Sequence, residues 1–260
     1  MENLGVKFVL NFEVQAKELS EIEDKYDAIF LGLGTYESIK GDYKGFEKDG
    51  VVEALPYLTE NTKYLMNEND ALSMDFKNQK VVVLGGGDTA MDCVRTALRQ
   101  GAKKVTCVYR RDFENMPGSR KEVKHAMEEG VEFLFNHQIV EAKGDDKLSE
   151  LIAEETELFG NDGSGRKKPK VKEGTQKKIE LDKLVIAFGY QASPQEFFTN
   201  KKINVDDWGL IQLNNDKFKY QTSNEKYFAG GDMIIGSSLA VYAIAHGRDA
   251  AKEIIKYLNS

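Results

Sequence analysis

An apolar strand that runs into three glycines and then into a helix leaves a chain few folds to choose from. Residues 80–92 read Lys-Val-Val-Val-Leu-Gly-Gly-Gly-Asp-Thr-Ala-Met-Asp, with a G-x-G-x-x-A pattern at Gly85, Gly87 and Ala90. A short apolar run bounded by glycine reads as a strand buried on both faces, as in a parallel sheet. Each small residue answers a separate steric demand. Gly85 permits the tight turn, Gly87 leaves the backbone bare for a pyrophosphate, and Ala90 lets the helix lie against the strand. N–H groups at the helix start, at the positive end of its dipole, then face phosphate oxygens.

The same punctuation recurs. Apolar segments end in glycine at Tyr26–Gly34, Leu184–Gly189 and Tyr227–Asp232. A helical stretch, Thr89–Gln100, leads to the strand Lys104–Tyr109, which makes a βαβ unit with the first strand. A further helix, Ser119–Glu129, leads to the strand Val131–Phe135. Alternating strands and helices predict a doubly wound α/β architecture. Between 141 and 184 the character changes: Leu148–Glu157 and Lys177–Leu181 read as antiparallel strands around the polar stretch Gly160–Pro169. Its Arg166, Lys167 and Lys168, with Lys170 and Lys172, form a basic cluster that reads as a solvated hairpin tip rather than a surface for an anionic partner. A long C-terminal helix follows Gly230-Gly231-Asp232, with Ser237 or Ser238 as its cap.

Cofactor preference is read at the end of the second strand. An NAD-type site places a carboxylate there, about 20 residues on, for the ribose 2′-hydroxyl. Here the strand ends in Tyr109-Arg110-Arg111. Two guanidinium groups suit a 2′-phosphate, which favours NADP(H) over NAD(H), with Asp112 next door as the opposing feature. An Asp at the Gly230-Gly231-Asp232 turn suits a sugar or ribityl hydroxyl. His246 reads as a packed, hydrogen-bonded residue, and Cys93 and Cys107 as small core residues.

Composition removes other classes. The chain has 260 residues and a formal net charge of −7, so nothing draws it to nucleic acid or anionic membrane. No apolar run reaches the length needed to span a bilayer. Two cysteines make neither a disulfide scaffold nor, unaided, a zinc or iron–sulfur site, which fits a reducing, cytoplasmic compartment. No paired metal ligands and no Ser/His/Asp arrangement stand out, so no catalytic side chain is assigned.

Gly85–Arg95, Val105–Arg111 and Asn115–Val123, with Phe30–Tyr36, Tyr227–Asp232 and Ala243–Arg248, resemble the small (beta) subunit of NADPH-dependent glutamate synthase over essentially the whole chain. The resemblance extends to other two-dinucleotide-domain flavoproteins, including NADPH–ferredoxin oxidoreductases. It implies a glutathione/thioredoxin reductase-like α/β fold, with a Rossmann-like NADPH domain inserted into a partial FAD domain. On that basis residues 1–74 are the end of the first FAD-domain half and the crossover, 75–195 the NADPH-binding domain, and 196–260 the second FAD-domain segment. The crossings fall at Gly32–Thr35 and Gly189–Pro194. Gly85, Gly86, Gly87, Asp88, Thr89 and Ala90 would contact NADPH, with Arg110, Arg111 and the lesser candidate Arg120 at its phosphate. Gly189, Gly231, Asp232, Ser237, Ser238 and Leu239 would contact FAD.

The resemblance further implies hydride transfer from NADPH to FAD, and passage of electrons through iron–sulfur clusters to a glutamate-forming large subunit. The cysteine-rich segment and the first FAD-binding G-x-G-x-x-G of that family have no counterpart here. The chain therefore reads as a C-terminal portion, starting at a strand Gly5–Leu10, with the FAD site half present and no cluster ligands. Alternatives are a paralogous NADPH-dependent ferredoxin-type subunit and, for the isolated chain, a non-catalytic NADPH-binding fragment. Self-association through an exposed FAD-domain face is also expected.

Overall fold

The computed structural model describes residues 2–163, 165–214 and 216–260. In chain order, α1 (Ala16–Glu23) and β1 (Ile29–Leu31) precede β2 (Glu37–Ser38), β3 (Val51–Glu53) and α2 (Ala54–Leu65). Then come β4 (Lys80–Leu84), α3 (Asp88–Arg99), β5 (Lys104–Tyr109), α4 (Arg120–Glu128) and β6 (Glu132–Phe135). Strands β7 (His137–Lys143), β8 (Glu150–Phe159), β9 (Lys168–Val171) and β10 (Lys177–Glu180) lead to β11 (Lys183–Ile186) and β12 (Tyr190–Gln191). The chain ends with α5 (Phe197–Asn200), β13 (Tyr227–Ala229), α6 (Asp232–Ile235) and α7 (Ala240–Leu258). Its contacts divide it into a unit of Ser38–Gly189 and a discontinuous unit, the residues up to Glu37 together with Tyr190–Ser260.

The 38–189 unit is built on a parallel sheet of order β3-β11-β4-β5-β6. Residues 38–74, which the sequence groups with the segment before them, supply β3 and α2. Alternation along each strand sends side chains to two different layers. Val81 and Val83 join Val105, Cys107 and Val185 in one core with Tyr57, Met91, Val94 and Val123 of the three helices. Val82, Leu84, Val108 and Leu184 face a second core with Ile139, Leu151, Ala153 and Leu181. That is why β4 is apolar from Val81 to Leu84: beyond Lys80 at its edge it has no solvent face.

The layer behind that second face is where the antiparallel strands read at 148–157 and 177–181 fall, so the doubly wound expectation holds for the helical face alone. It is an antiparallel sheet of β7 to β10, in which β8 pairs with β7, β9 and β10, rather than another helical layer. The cause is local. After β6 the chain has only Asn136, at φ 53°, before β7 begins. A parallel return needs a crossover of a dozen or more residues, whereas one left-handed residue suffices to redirect the chain into a hairpin meander. Arg95 of α3 ties the helices together, pairing with Glu122 of α4 and, at 2.7 Å, with Glu129. At the open end of this unit the Ile39 N–H donates to the Gly189 carbonyl at 3.0 Å, so its two chain ends lie side by side.

In the discontinuous unit β1 and β13 pair in parallel, Ile29 opposite Tyr227 and Leu31 opposite Ala229. Leu19, Leu31, Phe197, Phe198, Tyr227 and Met233 form its core. The expected strand at 5–10 does not form: no ladder reaches those residues, and Val9 and Leu10 are exposed. Strand-forming side chains make a strand only where a neighbouring edge takes up the backbone groups.

Glu23, at the end of α1, accepts from the Tyr227 hydroxyl at 2.6 Å and pairs with Lys201. Partial burial alone would raise its carboxyl, but the Lys201 and Tyr227 hydrogen bonds and the Lys201 and Lys226 charges outweigh that and hold it below its ordinary value of 4.5. A lowered folded-state value contributes stability that is complete above the unfolded value and is lost as pH falls through the folded one. Glu23→Gln is expected to flatten the pH dependence of unfolding below about pH 4.5. Chemical denaturation of both proteins across pH 3–6 checks this, and superimposable slopes would refute it.

Candidate functional site

The glycine turn after β4 is shaped by three different contacts. A Cβ on Gly85, at φ 147°, would lie 2.2 Å from the Ala187 carbonyl oxygen, so the end of β11 approaches this backbone closely. A Cβ on Gly86 would meet the Tyr109 ring at 2.5 Å. A Cβ on Gly87 would meet nothing within 4 Å, although the residue sits at the N-cap of α3 with φ −90°. Gly87 is thus bare on its outer side for no reason internal to the protein. Among the described residues the N–H groups of Gly87, Asp88 and Thr89 donate to no protein acceptor, while those of Ala90 and Met91 bond the Gly87 carbonyl. Ala90 is fully buried against the core, as the pattern requires.

A wall at this turn comes from the 117–119 loop, which sequence reasoning quoted for the resemblance but gave no role. The Gly118 N–H donates to the Gly86 carbonyl at 2.9 Å, and the Ser119 N–H to Asp88 Oδ1 at 2.7 Å. A Cβ on Gly118 would come within 3.0 Å of that same Gly86 oxygen, so its glycine is the signal that could have found the contact.

The two arginines after β5 have different fates. Arg110 is exposed, and its carbonyl accepts from Thr156 Oγ1 at 2.8 Å. Arg111 is only 5% exposed. Its Nε donates to the Lys167 carbonyl at 2.6 Å and its Nη2 to Asp162 Oδ2 at 2.8 Å. The hairpin end read from sequence as a solvated tip is therefore bonded down onto the end of β5; Ser164 within it lies outside the described residues. Arg120 folds back onto the 113–115 turn, bonding the Phe113 and Glu114 carbonyls and lying 4.4 Å over the Phe113 ring. Asp112 is taken up by Asn115, whose backbone N–H and Nδ2 both donate to its Oδ1.

In the other unit the Gly231 N–H donates to His246 Nδ1 at 3.1 Å, and the His246 ring centre lies 5.5 Å from that of Tyr220. His246 is the hydrogen-bonded residue its position suggested, holding the turn that presents Asp232. The half-buried Asp232 carboxylate has no partner among the described residues. Neither serine caps α7, whose N-cap is Leu239 without a side-chain bond. A separate turn of helix, α6, and Gly236 at φ 81° come first, and the Ser237 hydroxyl instead pairs with Thr35 Oγ1 at 2.8 Å and donates to the Tyr190 carbonyl at 3.3 Å. Ser238 and Leu239 are exposed, as are Val241, Tyr242 and Ile244 of α7. Gly189, at φ 100°, closes the 38–189 unit with open space where its Cβ would stand.

Both cysteines lie in the core of the 38–189 unit. Burial pushes the Cys107 thiol up to about 12, and Cys93 is raised as well by burial and by the Asp92 and Cys107 charges. Among the described residues no helix is long and apolar enough to cross a membrane.

The sequence profile of the pyridine nucleotide-disulphide oxidoreductases matches residues 3–247. The glutamate synthase [NADPH] small chain of Halomonas elongata is 45% identical over 99% of this chain, which spans 56% of that protein. The putative oxidoreductase AegA of Escherichia coli is 44% identical over 98% of this chain, which spans 40% of it. Among solved structures, Mycobacterium tuberculosis FprA in complex with NADPH superposes with a TM-score of 0.75 over 94% of this chain and 66% of its own, at 17% identity, a likeness of fold. The chain thus spans about half the length of the curated relatives it matches.

Proposed function

Since the chain belongs to the pyridine nucleotide-disulphide oxidoreductase family, we propose that it is the NADPH- and FAD-binding part of a glutamate synthase small subunit. In this reading the 38–189 unit holds NADPH and the discontinuous unit presents the FAD residues. The observation that carries the nucleotide half is the turn at Gly87: space that no protein atom fills, faced by N–H groups without a protein acceptor. Donors already fixed by the helix need no reorganisation to meet a pyrophosphate. Gly85 and Gly86 shape the turn, Ala90 seats the helix, and Asp88 holds the 117–119 wall. Arg110 is the exposed cation for the 2′-phosphate. Arg111 and Arg120, both engaged with backbone carbonyls, shape that site from behind.

When bound, NADPH would supply hydride and FAD would convert two-electron to one-electron transfer, for delivery in the full protein through iron–sulfur clusters to the large subunit that forms glutamate. The protein residues position and neutralise; none acts as acid or base. The unpartnered Asp232 carboxylate suits a ribityl hydroxyl, with Gly231 close behind it and Ser237, Ser238 and Leu239 at the entry to α7. Gly189 lies at the exit from the NADPH unit. A cytoplasmic location agrees with two buried free thiols. The exposed apolar residues of α7 support self-association of the isolated chain.

A second reading, a paralogous NADPH-dependent oxidoreductase with another acceptor, is favoured by one observation. Identity to AegA, at 44%, is almost that to the H. elongata small chain, at 45%, so the binding portion does not separate the two. Calorimetric titration with NADPH and NADH, each with and without FAD, tests the proposal. NADPH binding at least about tenfold tighter than NADH, a difference of about 1.4 kcal/mol, is the expected result. Equal binding, or none of either, refutes it.

A further inference from the structure

The two cations after β5 are not equivalent, and the hairpin beside them is not free. Arg111 spends its guanidinium on the Lys167 carbonyl and the Asp162 carboxylate. The Lys167 N–H donates to Asn115 Oδ1 at 3.0 Å, and Thr156 of β8 bonds the Arg110 carbonyl. Four bonds, two of them from Arg111, thus draw the β8–β9 hairpin onto the loop that follows β5. The Arg111 end of this latch is buried and its Asp162 end partly exposed.

This arrangement holds the Lys167 backbone on Arg111 and Asn115, one and five positions after Arg110. Lys167 is exposed and, like Arg110, forms no ion pair among the described residues. The carboxylates nearest in sequence are already engaged, Asp112 with Asn115 and Asp162 with Arg111. A phosphate monoester at neutral pH carries a charge of about −1.5 to −2. One arginine does not balance it, and two cations do.

We infer that Lys167, held by the Arg111–Asp162 latch, is the second cation of the 2′-phosphate site and so a determinant of NADPH over NADH. Arg111 is then a positioning residue rather than a phosphate ligand. This rests on the reading of the 38–189 unit as the NADPH-binding one.

The test uses the whole chain with 2′,5′-ADP and 5′-AMP, which differ by the phosphate in question, alongside NADPH and NADH. Lys167→Ala, at an exposed position, is expected to weaken NADPH and 2′,5′-ADP about tenfold while leaving NADH and 5′-AMP unchanged. Lys167→Arg should restore the affinity. Asp162→Asn, which removes no cation, is expected to weaken 2′,5′-ADP in the same direction. If Lys167→Ala leaves 2′,5′-ADP binding unchanged while Arg110→Ala weakens it, the inference is overturned and the NADPH reading stands. Wild-type protein that fails to prefer 2′,5′-ADP to 5′-AMP overturns both.

Discussion

Gly87→Ala is expected to weaken NADPH binding about 100-fold while changing the stability of the fold by no more than about 1 kcal/mol. The argument is steric and has two independent parts. At φ −90° the backbone of residue 87 is open to any amino acid, and a Cβ there would meet no protein atom within 4 Å. The folded protein therefore has little cause to object beyond a weaker N-cap. The pyrophosphate does, because the methyl group would stand where its oxygens approach the N–H groups of residues 87–89. Losing one or two charge-assisted hydrogen bonds, at about 1.5–3 kcal/mol each, accounts for the expected factor. Calorimetry and urea unfolding of the same preparation measure the two parts separately. Undiminished NADPH affinity would remove the turn from the site.

Two residues earlier the expectation reverses. Gly85→Ala should cost more than about 4 kcal/mol, enough to unfold or nearly unfold a domain of ordinary stability. At φ 147° only glycine is at ease, and the added methyl would lie 2.2 Å from the Ala187 carbonyl oxygen. Relief requires parting β4 from β11, where the Ala187 N–H bonds the Leu84 carbonyl at 2.8 Å. The result to look for is a lost or sharply lowered urea midpoint. A variant that unfolds like the wild type would mean that β11 does not press on this turn as described.

This contrast also marks what could be read without a structure. The G-x-G-x-x-A pattern located the turn, and the strand Lys104–Tyr109 emerged with the bounds read for it, because an apolar run closed by polar or glycine punctuation is local information. The pattern gave Gly85 and Gly87 separate tasks, but not that Gly85 answers to Ala187, a contact across about 100 residues. Distance in sequence hid Arg111 as well. Its partner Asp162 lies 51 positions on, so two adjacent arginines looked alike where one is buried and the other exposed. Segment 5–10 failed for the complementary reason: its side chains favour a strand, but no neighbouring edge takes it. The misassigned cap at Ser237 or Ser238 shows a hydroxyl recruited by Thr35, about 200 positions away, in preference to the helix beside it.

The side-by-side ends of the 38–189 unit bear on how the chain acquires its structure. β1 and β13 must find each other across almost 200 intervening positions. Left to an unfolded chain, that pairing would be slow, as non-local pairings are. The 38–189 unit has its own cores and sheets, and domains generally fold as units. Once Ile39 and Gly189 are clasped, about 150 residues drop out of the loop that β1 and β13 have to close. Shortening it roughly fourfold lowers the closure cost by about 1 kcal/mol. Folding of the middle of the chain thus brings its two flanking segments within reach of each other.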